Sequence, residues 1–345
     1  MLVSVIGGSS NPTIPYRLHK YKRARNSPTP DELQPGFVDN IARHLHVRVI
    51  DCIAEPFSSG EPRVQILENV RNTDVVLIQS IGRNISGCST NYYFMELLAM
   101  IDACKRSDAK SIAVVIPFYP YARQDKKDQP RVPITAKLVA NMIEMAGATR
   151  VITMDLHAAQ IQGFFNIPVD NIYAINVMVD YLRTKTTPKT HVLISPDNGG
   201  VKRIEAYAEK LSLKYLIMHK SRDHTGSSKV DKSTLIGDTD DLSSKTAIIV
   251  DDMIDTGGTM VRGIEELKTF GISSVILVVT HGVLSGPAVT RLMECETIKE
   301  VVVTNTLPMD CFPIFTKLTV IDVSKLFGEI LHRIFMGTSV SELFT

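Results

Sequence analysis

The sequence predicts an α/β protein of two domains, each with a mostly parallel sheet covered by helices. Short apolar runs rich in β-branched residues alternate with longer amphipathic stretches throughout the chain. A length of 345 residues exceeds what one small core usually holds, so two domains are expected. Near-continuous apolar strands are typical of parallel sheets, because crossover helices cover both faces of such a sheet.

The predicted strands and helices follow in order along the chain. A short strand and a Gly-Ser turn occupy the opening MLVSVIGGSS, and further strands are predicted at 75–79, 111–117, 151–154, 192–195, 215–218, 246–250, 274–280 and 300–304. Helices are predicted at 92–104 and 136–145, the second with Thr135 as its N-cap and Gly147 just past its end. We place the domains at 1–165 and 166–345.

Two segments interrupt this alternation. Residues 11–36 contain five prolines and a basic run at 17–25, which predicts an irregular insertion on the surface. Residues 221–233 are small and polar between two apolar strands, which predicts a mobile flap that closes over a substrate.

Charge and cysteine content exclude several classes of protein. The formal net charge is +1, so no global attraction for nucleic acid or an anionic membrane is expected. The amino terminus lacks the basic flank and apolar region of a signal peptide. The five cysteines are scattered without a C-x-x-C spacing, which argues against a disulfide framework or a zinc site. We therefore expect a cytoplasmic protein with no nucleic-acid or membrane partner.

The strongest local signal is the stretch TAIIVDDMIDTGGTM at 246–260. An apolar strand ends in two carboxylates, a third follows within one turn, and Thr-Gly-Gly-Thr opens a helix. Amide groups and the helix dipole at such a junction favour an anion, and glycine allows close approach. Because carboxylates repel phosphate, we expect them to bind ribose hydroxyls or a hydrated metal ion. The predicted sugar-phosphate loop comprises Asp251, Asp252, Asp255, Thr256, Gly257, Gly258 and Thr259.

The loop lacks both the Walker and the dinucleotide-binding glycine patterns. VDDMIDTGGT instead resembles the signature shared by type I phosphoribosyltransferases and ribose-phosphate diphosphokinases. Five further segments are similar to the diphosphokinases: FYPYARQDKKD at 118–128, ITAKLVANM at 134–142, ITMDLHAAQIQGFF at 152–165, ISPDNGG at 194–200 and VVVTNTLP at 301–308. The resemblance covers roughly residues 50–340. It implies two type I phosphoribosyltransferase-like domains, a magnesium requirement, and dimers stacked into larger oligomers such as hexamers.

The resemblance also implies an activity and residue roles. The activity is transfer of the diphosphoryl group of Mg-ATP to ribose 5-phosphate. The positions matching magnesium ligands are His157 and Asp197, and those matching the catalytic cations at the root of the flap are Lys220 and Arg222. The positions matching the ATP site are Phe57, Ser59, Glu61, Arg123, Gln124, Asp128 and Asp170. In this family the segment around Phe57 reaches a neighbouring subunit's site.

Departures from the family pattern leave alternatives open. Ser59 stands where Asn or Asp is common, the flap at 223–230 is less basic and longer, and the insertion at 11–36 is extra. A regulatory or scaffolding subunit paired with an active paralogue is therefore a second hypothesis, and a phosphoribosyltransferase is a third. Two further histidine signals are interpreted as structural. They are the pair His44 and His46, and His281 at a strand end.

Overall fold

The computed structural model describes residues 3–10, 36–82, 88–221, 232–240, 242–309, 312 and 315–344. The described strands are β1 Val3–Gly7, β2 Cys52–Pro56, β3 Pro62–Ile66, β4 Asp74–Ile78, β5 Ser111–Val115, β6 Arg150–Met154, β7 Val169–Ile172, β8 His191–Ser195, β9 Tyr215–Ser221, β10 Lys232–Ile236, β11 Thr246–Ile254, β12 Ser274–Gly282, β13 Ile298–Thr304 and β14 Leu318–Ile321. The described α-helices are α1 Phe37–His44, α2 Thr90–Arg106, α3 Thr135–Ala146, α4 Ile175–Arg183, α5 Val201–Leu211, α6 Gly258–Leu267, α7 Ala288–Glu294 and α8 Ser324–Met336. Within these ranges, no helix has the length and hydropathy needed to cross a bilayer.

The chain forms two compact units. The N-terminal unit comprises Met1–Tyr173, Asn305–Cys311 and Asp322–Thr345, and the C-terminal unit comprises Ala174–Thr304 and Phe312–Ile321. This division differs from the predicted domains at 1–165 and 166–345, because the end of the chain packs with the first unit. Phe327 of α8 meets Phe37 of α1 edge to face, with ring centroids 5.5 Å apart.

Each unit is built around one sheet. The N-terminal sheet has the order β1-β4-β5-β6-β7, and its neighbouring strands are all parallel. The C-terminal sheet has the order β10-β9-β8-β11-β12-β13-β14, with only the β9–β10 pair antiparallel. Strands β2 and β3 form a separate antiparallel hairpin. The predicted α/β class with mostly parallel sheets is confirmed.

The ends of α3 test the predicted helix signals. Gly147 ends the helix with φ at +123°, a conformation that glycine adopts without steric cost, as predicted. Thr135 is not the N-cap, because the preceding Ile134 carbonyl already accepts from the amides of Lys137 and Leu138. The helix therefore begins one residue earlier than the threonine signal indicates.

A buried polar network holds the carboxyl ends of β1 and β4 together. Gln79, fully buried, donates from Nε2 to Glu96 Oε1 of α2 (2.7 Å) and accepts from Ser10 Oγ (2.6 Å). Glu96 also accepts from the amide and the hydroxyl of Ser9, at 2.8 and 2.6 Å. Burial raises the pKa of Glu96. A Cβ on Gly8 would lie 2.2 Å from Gln79 Oε1, so only glycine leaves room for this arrangement.

We predict that Gly8→Ala destabilises the protein by about 2 kcal/mol, because the amide of Gln79 cannot move without breaking buried hydrogen bonds. Urea unfolding followed by circular dichroism measures the change. Gly163→Ala is the matched control, since a Cβ there meets nothing within 4 Å. Equal stability of the two variants would contradict the steric account.

Candidate functional site

The predicted sugar-phosphate loop joins β11 to α6. Gly257 is the N-cap of α6 and has φ at +70°, which lies in the left-handed region that favours glycine. Thr256 and Thr259 are exposed on either side of it. Within the described residues, no acceptor is found for the backbone amides of Thr256, Gly257, Gly258 and Thr259. Amides grouped at a helix start are typical of anion sites, and an anion site is what the sequence predicts for this segment.

The acidic pair differs in position from the prediction. Asp251 and Asp252 lie inside β11 and do not follow it, because the ladder with β12 continues to Ile254. Asp252 is 4% exposed, so its carboxylate lies in the protein interior. Both aspartates therefore belong to the last part of the strand and not to the loop that follows it.

Arg203 of α5 neutralises part of this buried charge. Its guanidinium donates to Asp251 Oδ1 at 3.1 Å and lies 3.6 Å from Asp252 Oδ1. Asp251 Oδ1 also accepts from the Asp252 amide at 2.8 Å. Burial, together with the neighbouring Asp252 carboxylate, raises the pKa of Asp251 from 3.8 to about 7 despite the arginine.

Sequence reasoning missed Arg203, although a signal was present. The residue lies in the first turn of the helix that follows β8, and β8 is the direct neighbour of β11. A cation in a first turn opposes the helix dipole, so it suggests a nearby anionic group. Here the anionic groups are the two carboxylates of the adjacent strand.

Asp197 occupies the end of β8, at the same sheet edge as the loop. Its Oδ1 accepts from the amides of Gly199 (2.8 Å) and Gly200 (3.1 Å), which fixes an exposed carboxylate in one orientation. Ser195 Oγ donates to the Asp197 carbonyl at 2.7 Å, and a Cβ on Gly200 would lie 2.6 Å from that hydroxyl. The structure thus places Asp197 on a rigid turn.

Four predicted positions of the N-terminal unit follow strand ends. Arg123, Gln124 and Asp128 are exposed and lie beyond the end of β5, and His157 is exposed just beyond β6. The residue at the end of β6, Asp155, has φ at +39°, and its amide donates to the Ile172 carbonyl at 2.8 Å. Because β5 and β6 are parallel neighbours, these side chains follow the same edge of the N-terminal sheet.

Asp170 does not join this group. It lies within β7, opposite Ile152 of β6, and its carboxylate accepts from Arg150 at 2.5 Å. Arg150 begins β6, so the pair points toward the amino end of the strand. The structure therefore gives Asp170 a partner in the sheet and separates it from the strand-end residues predicted to bind ATP.

The hairpin of β2 and β3 carries the remaining predicted ATP positions at its tip. The Phe57 amide donates to the Glu61 carbonyl at 2.8 Å, and Gly60 has φ at +89°. Ser59 Oγ donates to Glu61 Oε2 at 2.9 Å, so the serine hydroxyl contacts a side chain of its own turn. The Phe57 side chain is 53% exposed.

Several sequence-based predictions fall outside the described residues. Arg222, the flap at 223–230 and the insertion at 11–35 lie there, whereas the backbone of Lys220 belongs to β9 and pairs with Ser233 of β10. His44 contacts Glu329 of α8 at 3.2 Å, and His281 is 1% exposed within β12. These surroundings agree with the structural roles expected for both histidines.

Comparison with known proteins agrees with the fold. Residues 32–147 match the model of the N-terminal domain of ribose phosphate pyrophosphokinase, and residues 233–345 match the phosphoribosyl synthetase-associated domain. The chain is 45% identical to Saccharomyces cerevisiae ribose-phosphate pyrophosphokinase 4, over 90% of this chain and 92% of the relative. It is 42% identical to ribose-phosphate pyrophosphokinase 2 of the same yeast, over 90% and 94%.

A solved structure extends this similarity to three dimensions. Phosphoribosylpyrophosphate synthetase from Mycobacterium smegmatis superposes with a TM-score of 0.82 at 36% identity, covering 98% of this chain and 100% of that one. The fold and these similarities therefore define an α/β enzyme. The chain belongs to the ribose-phosphate pyrophosphokinase family, also called the ribose-phosphate diphosphokinases, and the predicted resemblance is confirmed.

The raised pKa of Asp251 predicts a pH-dependent stability of the unliganded protein. Because the folded pKa of about 7 exceeds the ordinary 3.8, the stabilisation is complete below pH 3.8 and is lost as the pH rises to about 7. Asp251→Asn keeps the acceptor for Arg203 but cannot titrate. Between pH 5 and 7.5 the wild type should lose about 2 kcal/mol relative to this variant, measured by urea unfolding. Parallel pH curves for the two proteins would contradict the assignment.

Proposed function

We propose that the chain transfers the β,γ-diphosphoryl group of ATP to the 1-hydroxyl of ribose 5-phosphate, giving 5-phosphoribosyl 1-diphosphate and AMP. The observation that carries the proposal is the group of amides at 256–259, which have no acceptor among the described residues and lie beside the acids of β11. The amides suit the 5-phosphate, and carboxylate oxygens suit the ribose hydroxyls, which donate hydrogen bonds. Membership of the pyrophosphokinase family supports the same reaction.

The chemistry required of the chain is positioning and neutralisation of charge. The 1-hydroxyl attacks the β-phosphorus in line, the bond to the α-phosphate oxygen breaks, and AMP leaves without a covalent enzyme intermediate. Lys220 and Arg222 would neutralise negative charge on the transferring group. Exposed Arg123, with Gln124 and Asp128 nearby, would bind the nucleotide at the edge of the N-terminal sheet.

Magnesium is the proposed cofactor, with His157 as the proposed ligand of the N-terminal unit and Asp197 as that of the C-terminal unit. Among the described residues, no group of three or more His, Cys, Asp or Glu side chains could hold a metal ion. Both residues are exposed, and a single protein ligand is enough for magnesium, because this ion keeps several waters and binds substrate phosphates. When bound, magnesium would offset the negative charge of the ATP phosphates.

We propose a homo-oligomer built from dimers and located in the cytoplasm. The exposed phenyl ring of Phe57 at the hairpin tip supports this, because an apolar ring at that position suits a neighbouring subunit. A subunit that needs a paralogous partner is the second candidate. The observation that favours it is the presence of two similar pyrophosphokinases, numbered 2 and 4, in one yeast.

We predict that the purified protein, supplied with ATP, magnesium and ribose 5-phosphate, forms AMP and 5-phosphoribosyl 1-diphosphate. Lys220→Ala should lower kcat by about 100-fold or more, because a cation opposite developing charge is lost. Lys325→Ala, at an exposed position of α8, is the matched control and should retain wild-type turnover. Product formed only after a paralogue is added would favour the second candidate. Consumption of the activated sugar with a nucleobase, without ATP, would favour a phosphoribosyltransferase.

If Asp197 binds magnesium, two substitutions at this position should differ in their effects on the magnesium requirement and on thermal stability. Asp197→Asn retains an oxygen for the amides of Gly199 and Gly200 and removes only the charge, so half-maximal activity should need about tenfold more magnesium. Asp197→Ala also loses the turn contacts and should lower thermal stability. Titration of the activity with magnesium measures the requirement. An unchanged requirement in Asp197→Asn would exclude this carboxylate as a ligand.

A further inference from the structure

Three successive carbonyls of the loop are bound by one segment of the chain. The Leu284 amide donates to the Ile254 carbonyl (3.1 Å), and the Ser285 amide donates to the Asp255 carbonyl (3.1 Å). The guanidinium of Arg291, on α7, donates to the Thr256 carbonyl at 3.0 Å. The carbonyl oxygens of residues 254–256 therefore all face the segment 284–291.

This arrangement determines where the loop amides point. In a trans peptide the carbonyl and the following N–H lie on opposite sides of the peptide unit, and the described chain contains no cis peptide. Fixing the carbonyls of residues 254–256 turns the N–H groups of residues 255–257 away from the segment 284–291. The next amides along the chain are those of Gly258 and Thr259 at the start of α6, for which no acceptor is found within the described residues.

Arg291 differs from the other two donors because it is a charged side chain beside a helix start. A Cβ on Gly258, the first residue of α6, would lie 3.1 Å from Arg291 Nη1. A cation at this end of a helix opposes the helix dipole when no anion is present. The hydrogen bond to the Thr256 carbonyl and a bound anion would each compensate that repulsion.

We propose that Arg291 is a positioning residue for ribose 5-phosphate, which holds the Thr256 peptide so that the loop amides face the 5-phosphate. The inference rests on the proposed function of the loop. Arg291 acts through the Thr256 peptide, and its charge adds to the attraction that the helix start exerts on the phosphate. Loss of Arg291 should therefore weaken the binding of ribose 5-phosphate and leave the binding of ATP unchanged.

Steady-state kinetics with each substrate varied tests this role. Arg291→Ala should raise the KM for ribose 5-phosphate about tenfold, the loss expected for one hydrogen bond to a charged group, and leave the KM for ATP unchanged. Arg291→Lys, which retains a charged donor, should restore most of the affinity, and so should guanidinium ion added to Arg291→Ala. If the alanine variant does not fold, Arg291→Gln, which retains an uncharged donor, supplies the comparison with lysine.

Arg262→Ala is the matched control. Arg262 is also an exposed arginine on the first turns of α6, but its Nε donates to the Gly258 carbonyl of its own helix, at 3.3 Å. A KM for ribose 5-phosphate within about twofold of wild type in Arg291→Ala, given the magnitude of such bonds, would overturn the proposal. An equal rise in Arg262→Ala would overturn it too, because charge alone would then explain the effect.

The proposed function and this inference fail in different ways. If the wild type forms no AMP, the proposed function fails, and calorimetric binding of ribose 5-phosphate to wild type and Arg291→Ala still measures the role of Arg291. If the wild type forms AMP and both variants share its KM, only the role of Arg291 is lost.

Discussion

The site depends on the hydrogen-bonded ladder of β11. This strand lies inside the C-terminal sheet, with parallel neighbours β8 and β12 on its two sides. Parallel strands end in the same direction, so the groups that follow β8 and β11 appear at one edge of the sheet. The loop to α6 and the turn that carries Asp197 both begin at this edge. Backbone pairing alone therefore brings these two segments to the same edge of the sheet.

The same ladder creates the electrostatic character of the site. Extension of β11 to Ile254 carries Asp251 and Asp252 into partly or fully buried positions, where ionised carboxylates lose hydration. Arg203 offsets part of this cost at 3.1 and 3.6 Å, yet one cation serves two acids. The raised pKa of Asp251 follows from that imbalance. An additional proton donor, such as a ribose hydroxyl, is therefore a favourable partner for the pair.

Periodicity and motif spacing predicted the α/β class, the strands that carry the site and the loop at 251–259. The prediction placed the end of β11 at residue 250, because charged residues usually end a buried strand; the ladder with β12 and the contact with Arg203 overrode that rule. Short strands β7, β10 and β14 and the hairpin of β2 and β3 lack long apolar runs, so local sequence gave little sign of them. The return of α8 to the N-terminal unit depends on contacts such as that between Phe37 and Phe327, which are distant in sequence. Asp170 was predicted from the resemblance alone, and its pairing with Arg150 depends on strand register.

Two strand ends of the C-terminal sheet show why the loop is a place for an external ligand. After β8, the amides of Gly199 and Gly200 are satisfied by the Asp197 carboxylate, an acceptor from the chain itself. After β11, the corresponding cap position is Gly257, which has no side chain and therefore no acceptor to offer. The two junctions share a sheet edge and a strand-to-helix geometry, and they differ in where the negative charge comes from. At the first junction the protein supplies the anion. At the second, the carbonyls of residues 254–256 accept from the segment 284–291, and the loop amides have no acceptor among the described residues, which is why we propose a sugar phosphate as their ligand.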